Sequence, residues 1–200
     1  ELLIKGPNVM LGYYKRPKET EETLTNIDGE IWLHTGDLAT IDEDGYAKII
    51  GRAKHILVLR TGKKVAPNHV EPIYKEHKDI EQIMLLGEGE KFIAALIVPN
   101  YENKDTILED LGLEEMTDKE FSKNQNVHDY YFDLLKDLED GKLSHFEKIK
   151  EFRLVAEPWS EDNDLLTPSL KLKRSKITAE HKDLIDEIFG RKWFCKNEMA

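Results

Sequence analysis

Gly51-Arg52-Ala53-Lys54-His55 is the stretch on which the organisation of this chain turns. Upstream of it, short apolar runs at residues 2–4, 30–33, 37–41 and 46–50 read as strands separated by turns. Asp42-Glu43-Asp44-Gly45 is a hairpin signal, with Gly45 free to take a positive φ. One helix interrupts the strands: Pro17 suits a first helical position and residues 18–24 follow it. Downstream the pattern changes. Residues 55–59 and 63–65 form a tight two-strand unit around Thr61-Gly62, and Pro67 opens a helix carrying Val70, Ile73 and Tyr74 at helical spacing. Strands are predicted at 80–86 and 92–99, joined by Gly87-Glu88-Gly89-Glu90. Helices are predicted at about 103–113, 127–138 and 143–149, a strand at 152–155, and a last helix at about 179–189 with Leu184, Ile185 and Ile188 on one face. The expectation is an α+β fold: a compact C-terminal domain over 54–200 with mixed sheet and helices, preceded over 1–53 by a short β-rich remnant of a larger domain. Glu1-Leu2-Leu3-Ile4 begins without Met and reads as a strand already under way, so the 200 residues are expected to be a piece of a longer chain.

Composition narrows the function classes. A chain that is 40% hydrophobic and 34% charged is expected to be globular. Its formal net charge of -11 repels phosphate backbones, which argues against a nucleic-acid partner. Cys195 is the one cysteine, so no disulfide can form within the chain, as suits a reducing compartment. The longest apolar run, 92–99, is strand-sized, far below the roughly 20 residues of a membrane-spanning helix. No transmembrane segment is therefore expected.

Three segments could carry chemistry. In Trp32-Leu33-His34-Thr35-Gly36-Asp37-Leu38, an aspartate after glycine at the start of a strand can offer its carboxylate to a ribose diol. The plainer reading is an aspartate that ends a turn. In Gly51-Arg52-Ala53-Lys54-His55, Arg52 can reach a phosphate or a sugar, or make an ordinary surface salt bridge. Leu166-Thr167-Pro168-Ser169-Leu170-Lys171-Leu172-Lys173-Arg174 is basic in an acidic chain. An ammonium group there can meet a phosphate whose charge grows during a reaction, and the plainer reading is a solvated basic turn.

The order of these segments is more specific than any one of them. His34-Thr35-Gly36-Asp37, Asp44-Gly45-Tyr46, Gly51-Arg52-Ala53-Lys54, Gly62 with Val65 and Pro67, and then Glu71 together resemble the adenylate-forming superfamily of acyl-CoA synthetases, peptide-synthetase adenylation domains and firefly luciferase. Gly6-Pro7-Asn8-Val9-Met10 and Gly12-Tyr13-Tyr14 fit the same alignment. The 166–174 run and the long helical insertion between Pro99 and Phe152 resemble the long-chain fatty acyl-CoA synthetases in particular. The resemblance covers essentially the whole chain.

The resemblance implies a two-step ligase. A fatty acid carboxylate attacks the α-phosphorus of ATP to give acyl-adenylate and pyrophosphate, and the thiol of coenzyme A then displaces AMP. A small C-terminal lid rotates between the steps. By position, Asp37 would hold the ribose hydroxyls and Arg52 the ribose or phosphate. Lys54 would be the hinge. Lys171 would be the catalytic lysine bridging carboxylate and α-phosphate. Gly62 would lie on the loop facing the coenzyme A tunnel, with Lys63 and Lys64 beside it as candidates for the coenzyme's phosphates. One departure stands out, since His55 replaces the acidic residue usual after the hinge. The family's Ser/Thr/Gly-rich phosphate loop, its acyl tunnel and its magnesium-binding residue have no counterpart in these 200 residues. The partner is then the N-terminal domain that holds them, and the 200 residues alone are expected to be inactive. The alternatives are a fatty acyl-AMP ligase that passes the acyl group to a carrier protein, and a non-catalytic module that keeps the lid fold. The expected location is the cytoplasm. Peripheral membrane contact stays open, because long-chain fatty acids partition into lipid while nothing in the sequence encodes an anchor.

Overall fold

The computed structural model describes residues 1–190, so Cys195 lies outside the described residues. The chain divides into two compact units, Glu1–Ile56 with Ala66–His69, and Leu57–Val65 with the chain from Val70 onward.

In the first unit, β1 (Leu3–Ile4), α1 (Pro17–Thr23), β2 (Leu24–Ile27) and β3 (Glu30–His34) are followed by β4 (Asp37–Ile41) and β5 (Ala47–Arg52). Strands β1, β3 and β2 form one antiparallel sheet in that order, and β4 and β5 form a separate hairpin. The sequence reading missed β2. Its signal was the two-residue turn Asp28-Gly29, where both residues take positive φ (52° and 86°), the geometry that lets a hairpin keep the strands' twist. The hairpin expected at Asp42-Glu43-Asp44-Gly45 is present. The Asp42 carboxylate accepts the backbone N–H groups of Asp44 (3.1 Å) and Tyr46 (2.8 Å), and Gly45 sits at φ 87°. Among residues 1–56 only Gly51 is buried. Leu11, Tyr14, Ile41 and Tyr46 are all exposed. These strands therefore do not enclose a core of their own.

The second unit does. After a 3-10 turn at Ala53–His55 come β6 (Leu57–Val58), β7 (Lys64–Val65), α2 (Pro67–Tyr74), β8 (Ile80–Leu86) and β9 (Ile93–Pro99). Then follow α3 (Lys104–Asp110), α4 (Asp118–Phe121), α5 (Gln125–Glu139), β10 (Ile149–Leu154), α6 (Arg174–Glu180) and α7 (Lys182–Ile188). The sheet order is β10-β9-β8, with β9 parallel to β10 and antiparallel to β8. All seven residues of β9 are buried, because both faces of the sheet are covered. Its period of two sends Ile93, Ala95 and Ile97 into one cluster with Val70, Tyr74, Phe121 and Tyr131. Ala94, Leu96 and Val98 enter another with Trp159, Ile177 and Ile185.

Several buried polar groups in this unit are matched, while the buried Nδ1 of His128 on α5 has no hydrogen-bond partner among the described residues. Glu139 accepts hydrogen bonds from the Tyr74 hydroxyl (2.7 Å) and the Ile149 N–H (2.9 Å). Asp79 accepts from Tyr130 (2.6 Å) and Asn103 (2.9 Å). Gln82 brackets the backbone of Trp159 with two bonds of 2.8 Å. The α4 helix starts on a capping box between Thr117 and Glu120, and Asn124 caps α5.

Two expectations need correction. The helix expected over 143–149 is not there; those residues are turns leading into β10, which begins at Ile149 opposite Ile93. Leu143, Phe146 and Ile149 recur every three residues as on a helix, but Ile149 is claimed by the sheet. The last helix begins earlier, at Arg174, and breaks at His181. There Trp159 Nε1–H donates to His181 Nε2 at 3.0 Å, which requires that nitrogen to be unprotonated.

The break has a pH consequence. Burial pushes the His181 imidazole below its usual value, against the opposing pull of Glu180 and Glu157. A base whose folded value is depressed contributes full stability above its unfolded value and loses it as pH falls. The unfolding midpoint is therefore expected to decline as pH drops below about 6.5. Replacing His181 with Asn should flatten that decline in thermal melts, and an unchanged slope would remove His181 from the account.

Candidate functional site

The sequence placed Asp37 and Arg52 in a nucleotide site, and the first unit brings them together. They are cross-strand partners at the open end of the β4–β5 hairpin, and Arg52 Nε lies 2.7 Å from Asp37 Oδ1. The same guanidinium donates to the Thr35 carbonyl at 3.3 Å. The Asp37 side chain is 27% exposed, so a ligand can reach it. This is also the surface salt bridge that the plainer reading allowed for Arg52.

The residues just before Asp37 set its position. Thr35 donates its hydroxyl to the Leu2 carbonyl at 2.7 Å, and its oxygen accepts the Asp37 N–H at 3.1 Å. Gly36 takes φ 72°, and its carbonyl accepts the Ala53 N–H at 2.9 Å, which fastens the start of β4 to the end of β5. His34 lies between Thr25 Oγ1 (3.0 Å) and the Glu1 carboxylate (2.9 Å). The other Glu1 oxygen accepts the Gly36 N–H at 2.9 Å. The hydrogen bond from His34 and the one from Gly36 hold the Glu1 carboxyl below the usual range. Sequence reasoning passed over Glu1 because nothing local marks a residue 35 positions from its partner.

Lys54, the expected hinge, is exposed in the 3-10 turn and makes no hydrogen bond or ion pair to any described residue. It borders a shallow pocket of the first unit with Tyr14, Arg16 and Glu22.

The other two predicted residues belong to the second unit. Gly62 sits in the β6–β7 turn at φ 80°, where its N–H donates to the Leu59 carbonyl at 2.8 Å. A Cβ built there would meet nothing within 4 Å, so within this chain the glycine serves the backbone angle alone.

The basic run around Lys171 is a tight turn between Leu166 and Leu172, which face each other as an antiparallel bridge. Thr167 organises it. Its N–H donates to the Lys171 carbonyl (2.9 Å), and its hydroxyl oxygen accepts the Lys171 N–H (3.0 Å). Its carbonyl accepts the Leu170 N–H at 2.8 Å. Leu170 takes φ 57°, a left-handed angle uncommon for leucine, and is exposed. The structure then sorts three cations that the sequence could only group. Lys173, with Lys176, pairs with Asp164, and the two lysines hold the Asp164 carboxyl down at about 2. Arg174 Nη2 lies 2.6 Å from Glu71 Oε2, while Glu71 Oε1 accepts the Leu85 N–H at 2.8 Å. Lys171 is exposed, and its ammonium has no partner among the described residues.

Among the described residues no three His, Cys, Asp or Glu side chains cluster as metal ligands. None of the described helices is long and apolar enough to cross a membrane.

This architecture and these motifs have relatives. Residues 54–192 match the AMP-binding enzyme C-terminal domain family, and the chain belongs to that family. Across 192 residues it is 36% identical to long-chain-fatty-acid–CoA ligase 1 of Homo sapiens, covering 95% of this chain and 27% of that protein. It is 31% identical across 198 residues to fatty acyl-CoA synthetase A of Dictyostelium discoideum, covering 95% and 29%. The chain thus spans just over a quarter of the length of these relatives. Among solved structures, the adenylation domain of a carboxylate reductase from Mycobacterium chelonae superposes with a TM-score of 0.79 at 26% identity, over 95% of this chain and 27% of that one.

Proposed function

We propose that this chain is the C-terminal part of a ligase that activates a long-chain fatty acid with ATP as acyl-adenylate and transfers the acyl group to coenzyme A. The observation that carries the reading is the ammonium of Lys171, without a partner among the described residues, where a braced turn closes beside two cations committed to carboxylates. A group meant to meet a ligand is expected to be held by its backbone and left unpaired at its charge. In the first step Lys171 would bridge the fatty acid carboxylate and the α-phosphate, where negative charge builds up. Asp37 would accept the ribose hydroxyls, and Arg52 would orient that carboxylate while facing the sugar or phosphate. ATP and coenzyme A are the co-substrates of this reading, and magnesium would be held by residues other than those described. Lys54 would be the pivot, with a boundary at 53/54 between the remnant of the nucleotide-binding body and the lid. The uncovered apolar side chains of the first unit, Leu11 and Ile41 among them, support that division, because they need another part of the protein to cover them. The same reading expects the protein in the cytoplasm.

Product analysis tests the reading. The intact protein, given a long-chain fatty acid, ATP, magnesium and coenzyme A, should yield acyl-CoA, AMP and pyrophosphate, and the 200 residues alone should yield none. Accumulation of acyl-adenylate without thioester would move the protein to the acyl-AMP ligases, and no ATP consumption would leave a non-catalytic module. Gly62 gives a finer prediction. Forcing an alanine to φ 80° costs about 1–2 kcal/mol without a clash in this chain. Gly62→Ala should therefore fold, and it should slow thioester formation more than adenylate formation. Equal slowing of both steps would detach Gly62 from the coenzyme A side.

A further inference from the structure

The turn that carries Lys171 also carries Leu170, the most exposed large apolar side chain among the described residues of the second unit. Leu170 is 74% exposed, and the next there, Phe132 and Val58, are 38% and 37% exposed. It also takes φ 57°, in the left-handed region. The other side chains set at positive φ among the described residues are Lys15, Asp28 and Asp164, all polar. A large apolar residue that is both exposed and left-handed therefore occurs once among the described residues, directly before the lysine assigned to the chemistry.

The turn's geometry makes leucine a costly choice. Leu170 N–H donates to the Thr167 carbonyl (2.8 Å) and Thr167 N–H donates to the Lys171 carbonyl (2.9 Å), so Leu170 and Lys171 together oppose Thr167. This is a β-turn closed by a bulge, whose left-handed position glycine fills without strain. A Cβ at that angle crowds the carbonyl that follows it. The stem of the turn is held by other residues, since Leu166 and Leu172 pack in the cluster around Trp159 and Ile177. Neither the exposure of Leu170 nor its backbone angle stabilises this chain. Strain of this kind persists where a function retains it.

We infer that Leu170 is a positioning residue for Lys171: in the adenylate-forming step its side chain seats against the apolar mouth of the fatty acid site and fixes where the neighbouring ammonium meets the carboxylate and the α-phosphate. A site that encloses an alkyl chain is walled by apolar surface up to the carboxylate. Consecutive Cα atoms are about 3.8 Å apart, so the residue before an ammonium that reaches this carboxylate comes within a side chain's length of that wall. An ammonium on a flexible four-carbon stem is poorly placed by its own chain. A small misplacement of a reacting group costs a large factor in rate. An apolar neighbour that leaves water only when the turn is seated supplies the missing constraint. This role rests on the ligase reading, because it needs Lys171 to act in the first step.

Three variants of the intact protein, assayed for acyl-adenylate formation from a long-chain fatty acid and ATP, test the role. Leu170→Asn keeps a branched side chain and tolerates the left-handed angle but is polar. It should slow adenylate formation about tenfold or more, in kcat rather than in KM. Leu170→Gly relieves the strain and deletes the side chain. It should slow that step as much, while the thermal midpoint stays level or rises. Leu170→Met, apolar and of similar volume, should restore most of the rate. Thioester formation from supplied acyl-adenylate and coenzyme A should stay within about twofold of the parent in all three, because the positioned ammonium acts in the first step. Leu170→Asn or Leu170→Gly protein that makes adenylate at the parent rate would overturn the role, and so would equal slowing of both half-reactions. A lower thermal midpoint for Leu170→Gly would also overturn it, by making the leucine structural. If Lys171→Ala abolishes adenylate formation while Leu170→Asn leaves it intact, the ligase reading stands and the role of Leu170 alone falls. If neither variant slows it, the assignment of Lys171 falls as well.

Discussion

Lys171→Ala is expected to lower acyl-CoA formation by the intact protein about 10²–10³-fold, the loss seen when one preorganised electrostatic contact to a developing charge is removed, about 2.7–4 kcal/mol. The effect should fall on turnover rather than on folding. The Lys171 ammonium contacts no described residue, and the turn that carries it is held by backbone and Thr167 bonds that survive the substitution. A surface change of that kind shifts stability by no more than about 0.5 kcal/mol. Thermal melts of the variant check this directly, and a large drop in midpoint would show that Lys171 has a structural partner. Lys173→Ala is the matched control. It removes a neighbouring cation that Asp164 already holds, so activity should persist if charge on the turn is not enough and position is what counts.

Arg174→Ala is expected to do the reverse and destabilise the fold by about 3 kcal/mol, a shift in midpoint of about 6–12 °C for a chain of this size. Glu71 is buried on α2, its other oxygen is committed to the Leu85 N–H of β8, and Arg174 at the start of α6 is the cation that balances it. Removing the guanidinium strands a buried carboxylate, which costs more than the pair was worth. Adding Glu71→Gln should recover part of the loss, because glutamine still accepts from Leu85 but carries no charge. A double variant no more stable than Arg174→Ala would mean that the charge is not the cause. This pair also joins residues 103 positions apart, so it ties α6 to α2.

Periodicity made most of the second unit legible. The strand at 80–86 and the helix opening at Pro67 are where the pattern placed them, since an apolar run bounded by turn residues leaves little choice at a strand with both faces buried. The failures have local causes. Leu24–Ile27 follows α1 without a break, so only the Asp28-Gly29 turn behind it marks a strand. Residues 143–149 carry helical spacing, but pairing of Ile149 with Ile93 is a long-range event that spacing cannot encode. The break at His181 depends on Trp159, 22 residues away.

The candidate site divides in the same way. Asp37 and Arg52 face each other across one hairpin, so their proximity follows from a turn visible at Asp44-Gly45. The difference between Lys171 and its basic neighbours is set by Asp164 and Glu71, whose partnership with the run no local pattern announces.

The most direct measurement separates the two half-reactions in intact Lys171→Ala protein. Formation of acyl-adenylate from fatty acid and ATP should collapse, while thioester formation from supplied acyl-adenylate and coenzyme A should continue at close to the parent rate. Equal loss of both, or loss of neither, would contradict the role assigned to Lys171.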